Sequence, residues 1–73
     1  MGFSRLGRQE EALACYDHAL DINPRDVEAW GNKGDALDQL GHPVEALVCY
    51  DHALDINPRD EGAWNNKGWV LAD

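Results

Sequence analysis

Cys15 and His18 stand three residues apart, and so do Cys49 and His52. A thiol and an imidazole at that spacing share one face of a helix, and two such pairs could supply the four ligands that zinc prefers. The pairs, however, sit in identical surroundings. Cys15-Tyr-Asp-His-Ala-Leu-Asp-Ile-Asn-Pro-Arg-Asp26 recurs letter for letter as Cys49 to Asp60, at an offset of 34 residues. They are equivalent positions of successive units, so one ion is not expected to reach all four, and each pair alone lacks at least two ligands. A Cys15–Cys49 disulfide is not expected either. Neighbouring packed helices lie about 8–10 Å apart, beyond the roughly 4.4–6.8 Å between Cα atoms that the bond requires. The thiols are expected to be reduced and partly buried, with His18 and His52 pointing outward. Catalysis finds no better footing. The three histidines have no paired nucleophile, and Asp17 and Asp51 are adjacent to His18 and His52 on a helix, where neighbours do not face each other. Gly31 and Gly34 fall inside a helical pattern rather than a phosphate-binding loop. The sequence therefore predicts no catalytic residue, no metal and no cofactor.

What must position any functional surface is the repeat itself. Leu6-Gly7 recurs as Leu40-Gly41, Glu11-Ala-Leu13 as Glu45-Ala-Leu47, Ala29-Trp30 as Ala63-Trp64, and Asn32-Lys-Gly34 as Asn66-Lys-Gly68. Self-similarity at a fixed period of this size marks stacked units that bury their apolar faces only against neighbours. Trp30, Gly34, Leu37 and Leu40-Gly41 form an apolar stripe at helical spacing, with Asp26 placed to cap its start and Gly41 to end it. Pro43 suits the first turn of a second helix, whose stripe is Ala46, Leu47, Tyr50, Ala53 and Leu54 and which Pro58 stops. Residues 27–60 thus read as a helical hairpin turning near Gly41–His42. Gly34 and Ala53 let two helices approach closely, and Trp30, Trp64, Tyr16 and Tyr50 are expected to be core.

The pattern Trp30-x-x-Lys33-Gly34-x-x-Leu37…Ala46-x-x-x-Tyr50…Pro58 resembles the tetratricopeptide repeat. Lys33 and Lys67 replace a signature Leu, Leu37 and Leu71 replace a Tyr, and Tyr50 replaces a Phe. A Lys can keep such a half-buried place by laying its stem on the core and extending its ammonium outward. The resemblance implies an all-α fold of antiparallel helical hairpins stacked as a right-handed solenoid, here one domain (1–73) of about two repeats. In that frame 8–26 is the second helix of a partial repeat, with Met1–Leu6 as the end of its first helix. Residues 27–60 are a complete repeat, and 61–73 the first helix of a following one. Stable arrays usually contain at least three repeats, so the chain is expected to be a fragment of a longer array or a piece that self-associates.

The resemblance further implies that the first helix of each hairpin lines an inner groove that takes an extended peptide or a partner's helix. The residues pointing away from the apolar stripe are Glu28, Gly31, Asn32, Asp35, Asp38 and Gln39, then Gly62, Asn65, Asn66, Trp69, Ala72 and Asp73. Some grooves of the family clamp a C-terminal carboxylate with Lys, Arg and Asn. Asn32 and Asn66 match the Asn, but Glu28, Gly31, Gly62 and Asn65 stand where Lys is needed. Glu28, Asp35 and Asp38 would repel a carboxylate, so a basic or neutral segment is the expected ligand; the same carboxylates could equally be a solvated face. Trp69 breaks the repeat, being equivalent to Asp35. It reads as a ligand anchor, a self-association contact, or a core residue lacking its cover.

The rival expectation is self-assembly. Phe3, Trp69, Val70 and Leu71 would leave apolar surface at the two ends, so that one chain's last helix complements the next chain's first, head to tail. Polar replacement of Trp69 and Leu71 would then abolish association. Bulk properties limit the other classes. With 14 acidic against 6 basic residues the net charge is −8, which opposes a nucleic-acid partner or an anionic membrane. No apolar run approaches a membrane span, the start lacks a signal peptide's apolar stretch, and Leu6 spoils a myristoylation match at Met1-Gly2. The expectation is a soluble, cytoplasmic, non-enzymatic protein-interaction scaffold.

Overall fold

The two identical Asn-Pro-Arg-Asp segments build the same joint twice. Asn23 Oδ1 accepts from Arg25 N at 3.2 Å, and Asn57 Oδ1 from Arg59 N at 3.1 Å. The amide of Asp26 donates to Asn23 O, and that of Asp60 to Asn57 O, both at 3.1 Å. Each aspartate then caps the helix that follows, Asp26 Oδ1 accepting from Ala29 N at 3.2 Å and Asp60 Oδ1 from Gly62 N at 3.0 Å. Each tryptophan indole reaches back over the joint, Trp30 Nε1 to Pro24 O at 2.9 Å and Trp64 Nε1 to Pro58 O at 2.8 Å.

These joints connect four helices in the computed structural model, which describes residues 5–72. They are α1 (Arg5–Ile22), α2 (Val27–Gln39), α3 (Pro43–Ile56) and α4 (Glu61–Ala72), with no strand among the described residues. Between α2 and α3 the chain reverses through a Schellman turn. His42 N donates to Leu37 O at 2.8 Å and Gly41 N to Asp38 O at 3.0 Å, with Gly41 at φ +87°, a conformation that a Cβ disfavours. Pro43 follows in the first turn of α3. The helix begins there because the missing N–H would have had no partner anyway.

Each helix packs against its sequence neighbour, and α2 also touches α4. The main core joins Leu37, Ala46, Cys49, Tyr50 and Val70, with Leu13, Trp30 and Leu47 packed on it; a second, Ala53, Leu54 and Ala63, receives Val27 and Trp30. Ala46 and Ala53 are fully buried, and a Cβ on Gly34 would stand 2.6 Å from Tyr50 Cε1. Small residues thus set the α2–α3 distance, and the tyrosine ring fills the space they leave.

Four expectations need correction. Val70 is 8% exposed and belongs to the main core, because it turns towards Leu37 and Tyr50 while Trp69 and Leu71 turn away. Trp64 is 53% exposed and Tyr16 half-buried, since among the described residues no helix covers them as α3 covers Trp30. Cys15 is likewise exposed whereas Cys49 is buried. The helix α1 runs through Gly7 from Arg5, although Gly7 is the equivalent of the turn-forming Gly41. Phe3 and Asp73 lie outside the described residues.

Candidate functional site

Asp35, Asp38, Tyr50, Asn66 and Trp69 line one cavity of about 290 Å³. Asp35 and Asp38 sit one turn apart on α2, and Asn66 and Trp69 hold the same relation on α4, so each helix contributes one i,i+3 pair. Contact between α2 and α4 brings the pairs together, and that contact exists because Val70 of α4 reaches the Leu37–Tyr50 core. Tyr50 closes the floor at 1% exposure. Trp69 stands at the rim, 76% exposed.

The electrostatics of the cavity register on the tyrosine. Its phenol is pushed up to about 12 from 10.0, first by burial and then by the carboxylates of Asp35 and Asp38. The fold therefore favours neutral Tyr50. That contribution to stability is complete below the ordinary value near 10 and is lost as the pH rises through about 12. Urea unfolding at pH 8 and pH 11 should show this loss, and Tyr50→Phe should lessen it.

Of the residues expected from sequence to face away from the apolar stripe, the cavity gathers Asp35, Asp38, Asn66 and Trp69. Glu28 and Asn32 are exposed on α2 outside it. Asn65 lines a separate shallow depression of about 360 Å³ with Gly68, Trp69 and Ala72. Gln39 does not line the cavity but holds one of its residues, its amide donating to Asp35 Oδ2 at 3.0 Å while its carbonyl accepts from the Gln9 side chain of α1. Sequence reading missed Tyr50, which it assigned to the core alone.

Sequence reading also missed a pair of ionic ties between repeats. Lys33 Nζ stands 2.6 Å from Asp17 Oδ1, and Lys67 Nζ 2.7 Å from Asp51 Oδ1. Each ammonium also lies over a tryptophan, 5.5 Å from the Trp30 ring and 5.4 Å from that of Trp64. The signal was present: Asp17 and Lys33 are spaced as Asp51 and Lys67 are. These ties occupy both lysines, which leaves the α2–α4 cavity without a basic lining residue.

The second Cys/His pair has structural surroundings, whereas Cys15 and His18 are exposed. His52 stacks on Trp30 with ring centroids 4.3 Å apart, and Cys49 lies in the core, where burial pushes its thiol up against the opposing pull of Lys33. Among the described residues no group of three or more His, Cys, Asp and Glu could hold a metal ion. No described helix is long and apolar enough to cross a membrane.

Comparison with known proteins agrees with this architecture. The model of the tetratricopeptide repeat matches residues 3–64, taking in the Asn-Pro-Arg-Asp joints, the Gly41 turn and the Gly34–Tyr50 contact. Searches of curated proteins and of solved structures return no match. Four helices on a 34-residue period, together with a family match over most of the length, place the chain: it belongs to the tetratricopeptide repeat family.

Proposed function

We propose that this chain is a non-enzymatic scaffold whose α2–α4 groove takes a peptide or partner helix bearing a basic side chain. Repeats of this family generally mediate protein–protein interaction. The observation that carries the finer reading is the cavity that joins Asp35, Asp38, Asn66 and Trp69. A lysine or arginine entering it would meet two carboxylates, a side-chain amide and an exposed indole. That set suits a cation and repels a carboxylate. Rigid helices hold these groups in advance, so the scaffold loses little conformational freedom on binding.

Selection from a random peptide library should enrich Lys and Arg over Asp and Glu. Asp35→Asn with Asp38→Asn should weaken the selected peptides several-fold, roughly 0.2–1 kcal/mol per carboxylate, and less so at high salt. Enrichment of acidic peptides, or a folded chain that selects none, would overturn the reading.

A further inference from the structure

Gly34 and Gly68 are repeat-equivalent, yet they meet opposite surroundings. A Cβ on Gly34 would strike the Tyr50 ring, whereas one on Gly68 would meet nothing within 4 Å. The residues beside Gly68 are open too. Leu71 is 64% exposed where its equivalent Leu37 is 7% exposed, and Trp64 lacks the imidazole that His52 lays on Trp30. So α4 presents uncovered the face that α2 uses to seat α3.

The helix that would cover it exists in the same chain. On α1, Ala12, Leu13, Cys15, Tyr16, His18, Ala19 and Leu20 repeat Ala46, Leu47, Cys49, Tyr50, His52, Ala53 and Leu54 without a change. Cys15 is exposed where Cys49 is buried, and Ala12, Tyr16 and Ala19 are half-buried where Ala46, Tyr50 and Ala53 are buried. One departure from the repeat makes the match more apolar. Asp35 and Asp38, which flank Tyr50 on α2, become Trp69 and Ala72 on α4, and these border the shallow depression of about 360 Å³ at Gly68. The stretch from Arg5 to Ala72 spans two 34-residue periods, so α1 of another molecule follows α4 in repeat phase.

We propose that α4 seats α1 of a second copy of this chain, with Tyr16 of that copy against Gly68 and its His18 stacked on Trp64. The contact repeats the α2–α3 packing and joins molecules head to tail, so it can propagate. It covers Leu71 as α3 covers Leu37. Trp69 stays at its edge and Val70 takes no part, since Val70 is already buried.

Two single variants test it. Gly68→Leu fills the seat on α4 in a place that is open in the monomer, and Cys15→Arg puts a charge on the exposed α1 face where Cys49 would be buried. Light scattering with circular dichroism on the same samples reads the result. Wild type should rise above 8.1 kDa with concentration while each variant stays at 8.1 kDa with unchanged helicity. An equimolar mixture of the two variants should stop at the mass of a dimer, because only one of its two kinds of joint can form. Tryptophan emission should shift in that mixture and in neither variant alone. A wild type that remains at 8.1 kDa at every concentration, or a Gly68→Leu chain that assembles like wild type, overturns the proposal. So does a folded pair of variants that do not combine. Gly68→Leu leaves Asp35, Asp38, Asn66 and Trp69 in place, so peptide binding by this variant is judged apart from assembly.

Discussion

Tyr50→Ala should unfold the chain or bring it to the edge of unfolding. The ring is 1% exposed and joins α2, α3 and α4 through Leu37, Ala46 and Val70. Truncating a buried aromatic costs about 3–5 kcal/mol, while a chain of 73 residues carries about 4–11 kcal/mol in all. The cavity cannot collapse readily, because Ala46 and Ala53 beside it carry only a methyl group and cannot reach into it. Loss of Tyr50 should also release Val70 and with it the α2–α4 contact that forms the groove. Urea unfolding followed by helical circular dichroism is the measurement. A midpoint within experimental error of wild type would remove Tyr50 from the centre of the fold.

Substitution at the two equivalent glycines should move stability in opposite directions. Gly34→Leu drives a side chain into Tyr50, whose Cε1 is already 2.6 Å from the first added atom. The ring is 1% exposed and held in the main core, so α2 and α3 must part, at a cost on the order of 3 kcal/mol. Gly68→Leu adds the same atoms to open space on α4. In dilute solution it should gain about 0.5–1 kcal/mol from helix propensity alone. For a domain of this size a change of 1 kcal/mol moves Tm by roughly 4–8 °C, so thermal unfolding of the pair at low concentration decides the matter. Equal shifts of one sign would mean that the two faces are alike, against the structure.

Most of the fold was legible because the same local sequence occurs twice. An Asn-Pro-Arg-Asp joint, a Gly at the turn and a Pro just after it each act within a few residues, and periodicity gave Gly34 and Leu37 of α2 and Ala46, Tyr50, Ala53 and Leu54 of α3 as buried. The errors lie where burial depends on a neighbour rather than on the residue. Tyr16 and Tyr50, Cys15 and Cys49, Trp30 and Trp64 are identical in type and context, yet only the second tyrosine, the second cysteine and the first tryptophan find their cover. Periodicity assigns both members of each pair to the core and cannot tell them apart. Val70 was misplaced because α4 is apolar over three consecutive residues, Trp69, Val70 and Leu71, and the stripe alone does not choose among them. The side of the cavity lining was legible, since facing away from the stripe put Asp35, Asp38, Asn66 and Trp69 on one side of their helices. Their convergence was not, because it depends on how closely α2 and α4 approach.

The account rests on those four residues acting together on a cation. Titration of isotope-labelled protein with a short lysine- or arginine-bearing peptide, followed by NMR, tests this most directly. The account predicts saturable shifts of the Trp69 indole N–H, the Asn66 side-chain amide and the backbone amides of Asp35 and Asp38, and none from an acidic peptide of equal length. Shifts centred instead on the Trp30–His52 stack, or equal responses to acidic and basic peptides, would contradict it.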